Sequence, residues 1–245
     1  MNNKLVALAL LTSLTATTTT NAYADEEKRN WEASAGLGLS LTSGNTDTTS
    51  INTNIQATQH LEFWEMYYKF DAIKQENENQ TTADKKDYAI KGQYKLKNKS
   101  TFLFAEGKRN EDKFSSYAHT NTVSIGYGQN LYKSEDLLIK ADVGPGYTYF
   151  KFNETGENGS SSIVHLGGHL KWTISDSAHF IQRVIVDKQL SDEKNMLSEF
   201  HSTLGARING SLKMTLDVKV THNSEVRPDK KKTDTITSVN LVYSF

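Results

Sequence analysis

The 245-residue sequence contains no cysteine. That absence excludes a disulfide framework, a thiolate nucleophile and a thiolate metal site, and with them the lipoprotein class of export signal. Proline occurs only twice and apolar residues make up only 36% of the chain, a composition that argues against a bundle of membrane helices. Neither sign of charge dominates: 28 Lys and Arg are intermixed with 29 Asp and Glu for a net charge of −1. A general attraction to nucleic acid is therefore not expected.

What the chain does have is tyrosine (11) and phenylalanine (10), and an N-terminus built for export. Met1-Asn2-Asn3-Lys4 supplies a positive start, residues 5–14 (LVALALLTSL) a short apolar stretch, and Ala22-Tyr23-Ala24 a small-residue cleavage motif. This pattern predicts a secretory signal peptide over residues 1–24 and a mature domain over residues 25–245.

Within the mature region apolar residues recur at every second position. Trp31, Ala33, Ala35, Leu37, Leu39 and Leu41 share one parity, with Glu32, Ser34, Gly36, Gly38, Ser40 and Thr42 on the other. A period of two is the signature of a strand with one apolar face. It returns around Ile51, Trp64, Tyr88, Val123, Leu137, Val164, Phe180, Phe200, Leu212 and Val239, while Phe102-Leu103-Phe104 is apolar on both parities and leaves its facing open. About twelve strands result.

The connections alternate between short ones, such as residues 62–63, 98–99, 133–135, 175–177 and 209–211, and long polar ones at 75–85, 110–116, 153–161, 191–195 and 224–233. An even strand count with short turns at one end and longer loops at the other predicts an all-β fold: a single antiparallel transmembrane β-barrel of about twelve strands, with short periplasmic turns and longer extracellular loops.

A soluble lipocalin-like barrel shares the same period with its apolar face turned inward. Three features favour the membrane form. Val239, Leu241, Tyr243 and Phe245 alternate up to the last residue, resembling the C-terminal signal of outer-membrane barrels that assembly machinery reads. Trp31, Trp64 and Trp172 all fall at the short-turn ends, with Phe63, Phe102, Tyr132, Phe180 and Tyr243 beside them, as an interfacial aromatic belt would require. The strands are also long enough for a tilted bilayer crossing.

Gly36-Leu-Gly-Leu-Ser-Leu-Thr-Ser-Gly-Asn-Thr-Asp47, with Gly126-Tyr127-Gly128 and Val143-Gly144-Pro145-Gly146-Tyr147, resembles the YdiY-like, salt-induced outer-membrane proteins. The resemblance covers the mature chain. It implies an outer-membrane barrel without an established activity, induced by osmotic or salt stress.

Candidate chemistry is sparse. His165 and His169 have a zinc-like spacing, but four residues along a strand separate them by about 13 Å, too far to share a metal. A tight turn at 175–177 brings His165 near Asp187, with His201 and Lys219 expected at about the same level on the next two strands. All four have lumen parity. They read either as a pH-responsive or ion-coordinating ring, or as ordinary charges filling the lumen. The remaining lumen-parity charges, Glu65, Lys91, Lys140, Asp142 and Arg183 among them, are mixed in sign and predict no strong ion selectivity.

No metal site, cofactor site or catalytic triad is legible. The expected partners are outer-membrane lipids, lipopolysaccharide at the basic loop Arg227-Pro-Asp-Lys230-Lys231-Lys232, and the barrel assembly machinery. A non-enzymatic narrow pore or envelope-stabilising barrel in the outer membrane is the first functional expectation. The alternatives are a lipid-modifying barrel enzyme, which needs a Ser–His pair at the membrane edge, and a soluble periplasmic ligand-binding barrel.

Overall fold

A computed structural model describes residues 30–43, 48–77, 80–97, 100–191, 195–226 and 231–245. The expected signal peptide, residues 44–47 of the first outer loop expected over 43–47, the turn expected at 98–99 and residues 227–230 of the basic loop lie outside this set.

Twelve strands follow one another: β1 (Trp31–Ser43), β2 (Thr48–His60), β3 (Trp64–Asn77), β4 (Gln80–Lys95), β5 (Thr101–Asp112), β6 (Tyr117–Lys133), β7 (Leu137–Phe152), β8 (Asn158–Ser175), β9 (Ala178–Gln189), β10 (Met196–Arg207), β11 (Leu212–Asn223) and β12 (Thr233–Ser244). Each pairs antiparallel with its sequence neighbours, and β1 pairs with β12 from Ser34–Ser244 to Ser43–Thr235, so the sheet closes into a barrel. Closure leaves no strand edge unpaired, the condition for placing a sheet in hydrocarbon.

The period of two sorts the side chains. Leu39 and Ile125 point outward and are 62% and 63% exposed, whereas Ser40, Ser124 and Asn240 point inward and are buried. A greasy outside around a polar inside suits a bilayer, and it is the reverse of what a soluble ligand-binding barrel needs. The lipocalin-like alternative fails on this orientation.

The two-sided apolar stretch in β5 resolves with Phe102 and Phe104 inward, each 4% exposed, and Leu103 outward. Phe102 therefore does not join the aromatic residues on the outer surface, contrary to the expectation from its position at a strand end. Its ring lies instead over Gly128, where an added side-chain carbon would overlap it.

The outer connections are shorter than their polar composition predicts. β3 and β4 continue through most of the segment 75–85, so only residues 78–79 connect them, and β5 likewise runs to Asp112. Beyond the membrane the outward residues no longer need to be apolar, so alternation fades while backbone pairing persists, as at Lys74–Asp84 and Lys85–Asp112.

Glycine is required where β6 meets β7. A side-chain carbon on Gly144 would overlap the Ile125 carbonyl oxygen, and one on Gly126 that of Val143. Between these strands the paired positions pass from Ser124–Gly146 to Tyr127–Val143. The skipped stretch includes Pro145, which has no N–H for the ladder.

Candidate functional site

Among the described residues polar side chains converge in the lumen. It contains a cavity of about 2060 Å³ whose lining extends from Glu62, Phe63 and Phe245 at the short-turn end to Ser115, Val226 and Lys231 at the other.

Lysine side chains cross this space. Lys140 on β7 donates to Glu65 on β3 at 3.1 Å, and Lys91 on β4 to Asp142 on β7 at 2.9 Å. Lys108 on β5 reaches Asp187 on β9 at 2.8 Å, and Lys219 on β11 reaches Asp87 on β4 at 2.8 Å as well as Glu199 at 3.0 Å. Apart from Glu199, which lies on the strand next to Lys219, these partners stand three to five strands apart around the barrel, so the bonds are struts across the interior that narrow it. The long, flexible lysine stem is what makes such a reach feasible.

Two of the struts, from Lys91 and Lys108, meet at His165, which is fully buried. Its Nδ1 lies 2.6 Å from Asp187 Oδ1 and its Nε2 3.2 Å from Asp142 Oδ1, with Glu106 Oε2 at 3.7 Å and the Phe104 ring at 5.6 Å. Carboxylates at both ring nitrogens match the hydrogen-bonding pattern of a doubly donating imidazolium. His165, Lys91 and Lys108 then balance Glu106, Asp142 and Asp187.

Of the four residues expected to form one ring, the structure joins His165 and Asp187. The cross-strand partner of Asp187 on β10 is Leu197, four residues from His201 and so about 13 Å along the strand. His201 turns its Nε2 to Asp217 at 3.2 Å, and Lys219, its neighbour on β11, goes to Asp87 and Glu199 instead. The arrangement is two clusters. Glu106 and Lys108 belong to the first and were missed because the two-sided apolar run hid the facing of β5. Reading the period backward from Asp112 through Asn110, Lys108 and Glu106 supplies that facing.

Trp31, Trp64 and Trp172 all point outward at the short-turn end. Trp31 stacks on Tyr68 with centroids 5.9 Å apart, and Trp64 packs on Tyr94 at 5.2 Å. Val239, Leu241, Tyr243 and Phe245 also point outward, on the strand that closes the barrel.

Among the described residues no Ser–His hydrogen bond occurs at the membrane edge. The hydroxyl–imidazole contact on the outer surface is His222 Nδ1 to Thr233 Oγ1 at 2.8 Å, and no carboxylate is recorded on that ring to orient it as a base. No group of three or more metal-ligating side chains is arranged to hold an ion among the described residues.

The sequence profile of the family described as "Protein of unknown function, DUF481" matches residues 35–245. The chain belongs to this family. No curated protein matches the DUF481 chain in sequence. In structure it is similar to the NanC porin, at 11% identity and a TM-score of 0.54, over 85% of this chain and 98% of that one. The outer-membrane channel COG4313 of Pseudomonas putida F1 matches at 9% identity and a TM-score of 0.49 over 91% and 100% of the two chains, and the translocator domain of the autotransporter NalP of Neisseria meningitidis at 9% and 0.49 over 90% of each. At such identities the NanC likeness speaks for the fold alone. The DUF481 chain is an outer-membrane-type β-barrel of twelve strands.

Proposed function

We propose that this DUF481 protein is a narrow, passive, non-enzymatic pore of the outer membrane. The observation that carries the reading is the cavity whose lining extends between the two ends of the barrel while lysine struts cross its middle. A water-filled path with charged crossbars admits small hydrophilic solutes and excludes large ones. The same struts favour a second reading, a braced barrel whose role is to stiffen the envelope under osmotic or salt stress, as the YdiY-like resemblance implies.

In this reading residues 1–24 direct export and are removed, and the outward row Val239, Leu241, Tyr243 and Phe245 is the segment read by the assembly machinery. Trp31, Trp64 and Trp172 anchor the barrel at the periplasmic interface, and the lysine-rich loop meets lipopolysaccharide phosphates. The cluster of His165 and Asp187, with His201 and Lys219 in its neighbour, sets the bore.

Single-channel recording on the folded protein in a planar bilayer tests the pore. Discrete steps of small amplitude are expected. A barrel that is folded by heat-modified gel mobility yet electrically silent overturns the pore and leaves the stiffening role.

A further inference from the structure

At the short-turn end, the inner wall formed by β8–β11 differs in charge from the rest of the lumen. Lys171, Arg183, Arg207 and Lys213 have inward parity, and none makes a side-chain hydrogen bond or an ion pair among the described residues. Two of the four are set against each other: Arg207 is the direct cross-strand neighbour of Lys213. Like charges set opposite each other on one face of a sheet destabilise it, so this wall carries unspent positive charge in a chain whose net charge is −1.

That charge opens onto a second, smaller cavity of about 220 Å³, roughly seven water volumes. Arg183 and Lys213 line both this chamber and the main cavity. From the far side Asn54 and Gln56 present neutral amides to it.

Each carboxylate on the same chamber already accepts hydrogen bonds, two of them from lysines. Asp71 holds Lys69 at 2.8 Å, and Asp87 holds Lys219 and Asn110, each at 2.8 Å. Asp217 accepts from His201, Thr203, Thr215 and Asn240. What remains is a guanidinium and an ammonium with free donors, amides beside them, and room for a small molecule.

We propose that this chamber is a binding site for a small soluble multivalent anion, bearing phosphate or several carboxylates, with Arg183 and Lys213 as its charged contacts. A planar guanidinium fork pairs with carboxylate and phosphate oxygens in two-point fashion, and the amide nitrogens of Asn54 and Gln56 supply neutral donors. The groups face the lumen, so the ligand comes from solution and not from a lipid headgroup. The proposal names a ligand class for the lumen of the proposed pore, but it concerns binding and does not need conduction.

The test is calorimetric titration of the intact protein in a non-ionic detergent with pyrophosphate and, separately, citrate. Saturable binding is expected. Arg183→Gln and Lys213→Gln should each weaken it by about tenfold, the scale of one charge-assisted hydrogen bond. Lys95→Gln, on the opposite wall beside Glu65, should leave it unchanged. Two variants guard against one of them misfolding, and heat-modified mobility checks each. No binding to the wild type, or equal binding by wild type, Arg183→Gln and Lys213→Gln, overturns the proposal. Binding by an electrically silent barrel keeps this site and removes the pore; conduction without binding does the opposite.

Discussion

The braced middle of the lumen and the basic wall of β8–β11 are built from the same residue types to opposite effect. In the middle, Lys91, Lys108 and Lys219 each end on a carboxylate 2.8–2.9 Å away, and His165 sits between the two held by Lys91 and Lys108. On the basic wall Arg183 and Lys213 look across a chamber toward Asn54 and Gln56. The difference lies in what stands opposite. A lysine can cross the barrel only if a carboxylate waits on a strand a few places around the ring, and at the level of the chamber β1 and β2 offer Ser34, Asn54 and Gln56. Bracing and binding are thus alternative uses of an inward cation.

The contrast is most strongly tested by Asp187→Ala, which takes from Lys108 its bonded carboxylate and from the buried His165 one of its two. Removing one partner of a buried ion pair typically costs about 3–5 kcal/mol, and urea unfolding of the barrel in lipid should register a loss of that size. Arg183→Gln, which removes an inward cation that holds no carboxylate, should leave the same midpoint unchanged. Equal losses in the two variants would erase the distinction between the regions.

Next in size is Lys140→Met, which releases Glu65 from one of its two lysines and removes a crossbar. A loss of about 1–3 kcal/mol is expected by the same unfolding assay, with single-channel conductance larger than wild type. Unchanged conductance would show that the strut does not set the bore.

The smallest effect concerns ion preference. With the basic wall intact, the reversal potential under a potassium chloride gradient should lean toward chloride, and Arg183→Gln with Lys213→Gln should move it toward potassium. Raising the salt toward 1 M, where the screening length is about 3 Å, should abolish the difference. A lean that survives high salt would trace the preference to the struts instead.

Much of the fold is legible in the sequence, because a membrane barrel writes its facing into every second residue. The row from Leu37 to Leu41 and the closing row from Val239 to Phe245 announce their outward face without any knowledge of their neighbours. The strand count, the alternation of turn lengths and the pairing of His165 with Asp187 follow from parity and one tight turn. The facing of β5 did not, since Phe102 and Phe104 are apolar yet point inward beside Gly128. The true length of the outer strands was hidden too, since pairing continues past the bilayer where no apolar face is demanded.

The sequence by itself determined that this chain closes a greasy-outside barrel around a mixed-charge interior, because parity is a local property of the strand. Which charges meet was decided only by tertiary structure. Glu65 with Lys140 and Asp87 with Lys219 are separated by three to five strands around the ring, and no local period encodes that distance. It depends on the curvature and register of all twelve strands together, which also left Arg183 and Lys213 lining a chamber without a hydrogen-bonded carboxylate of their own.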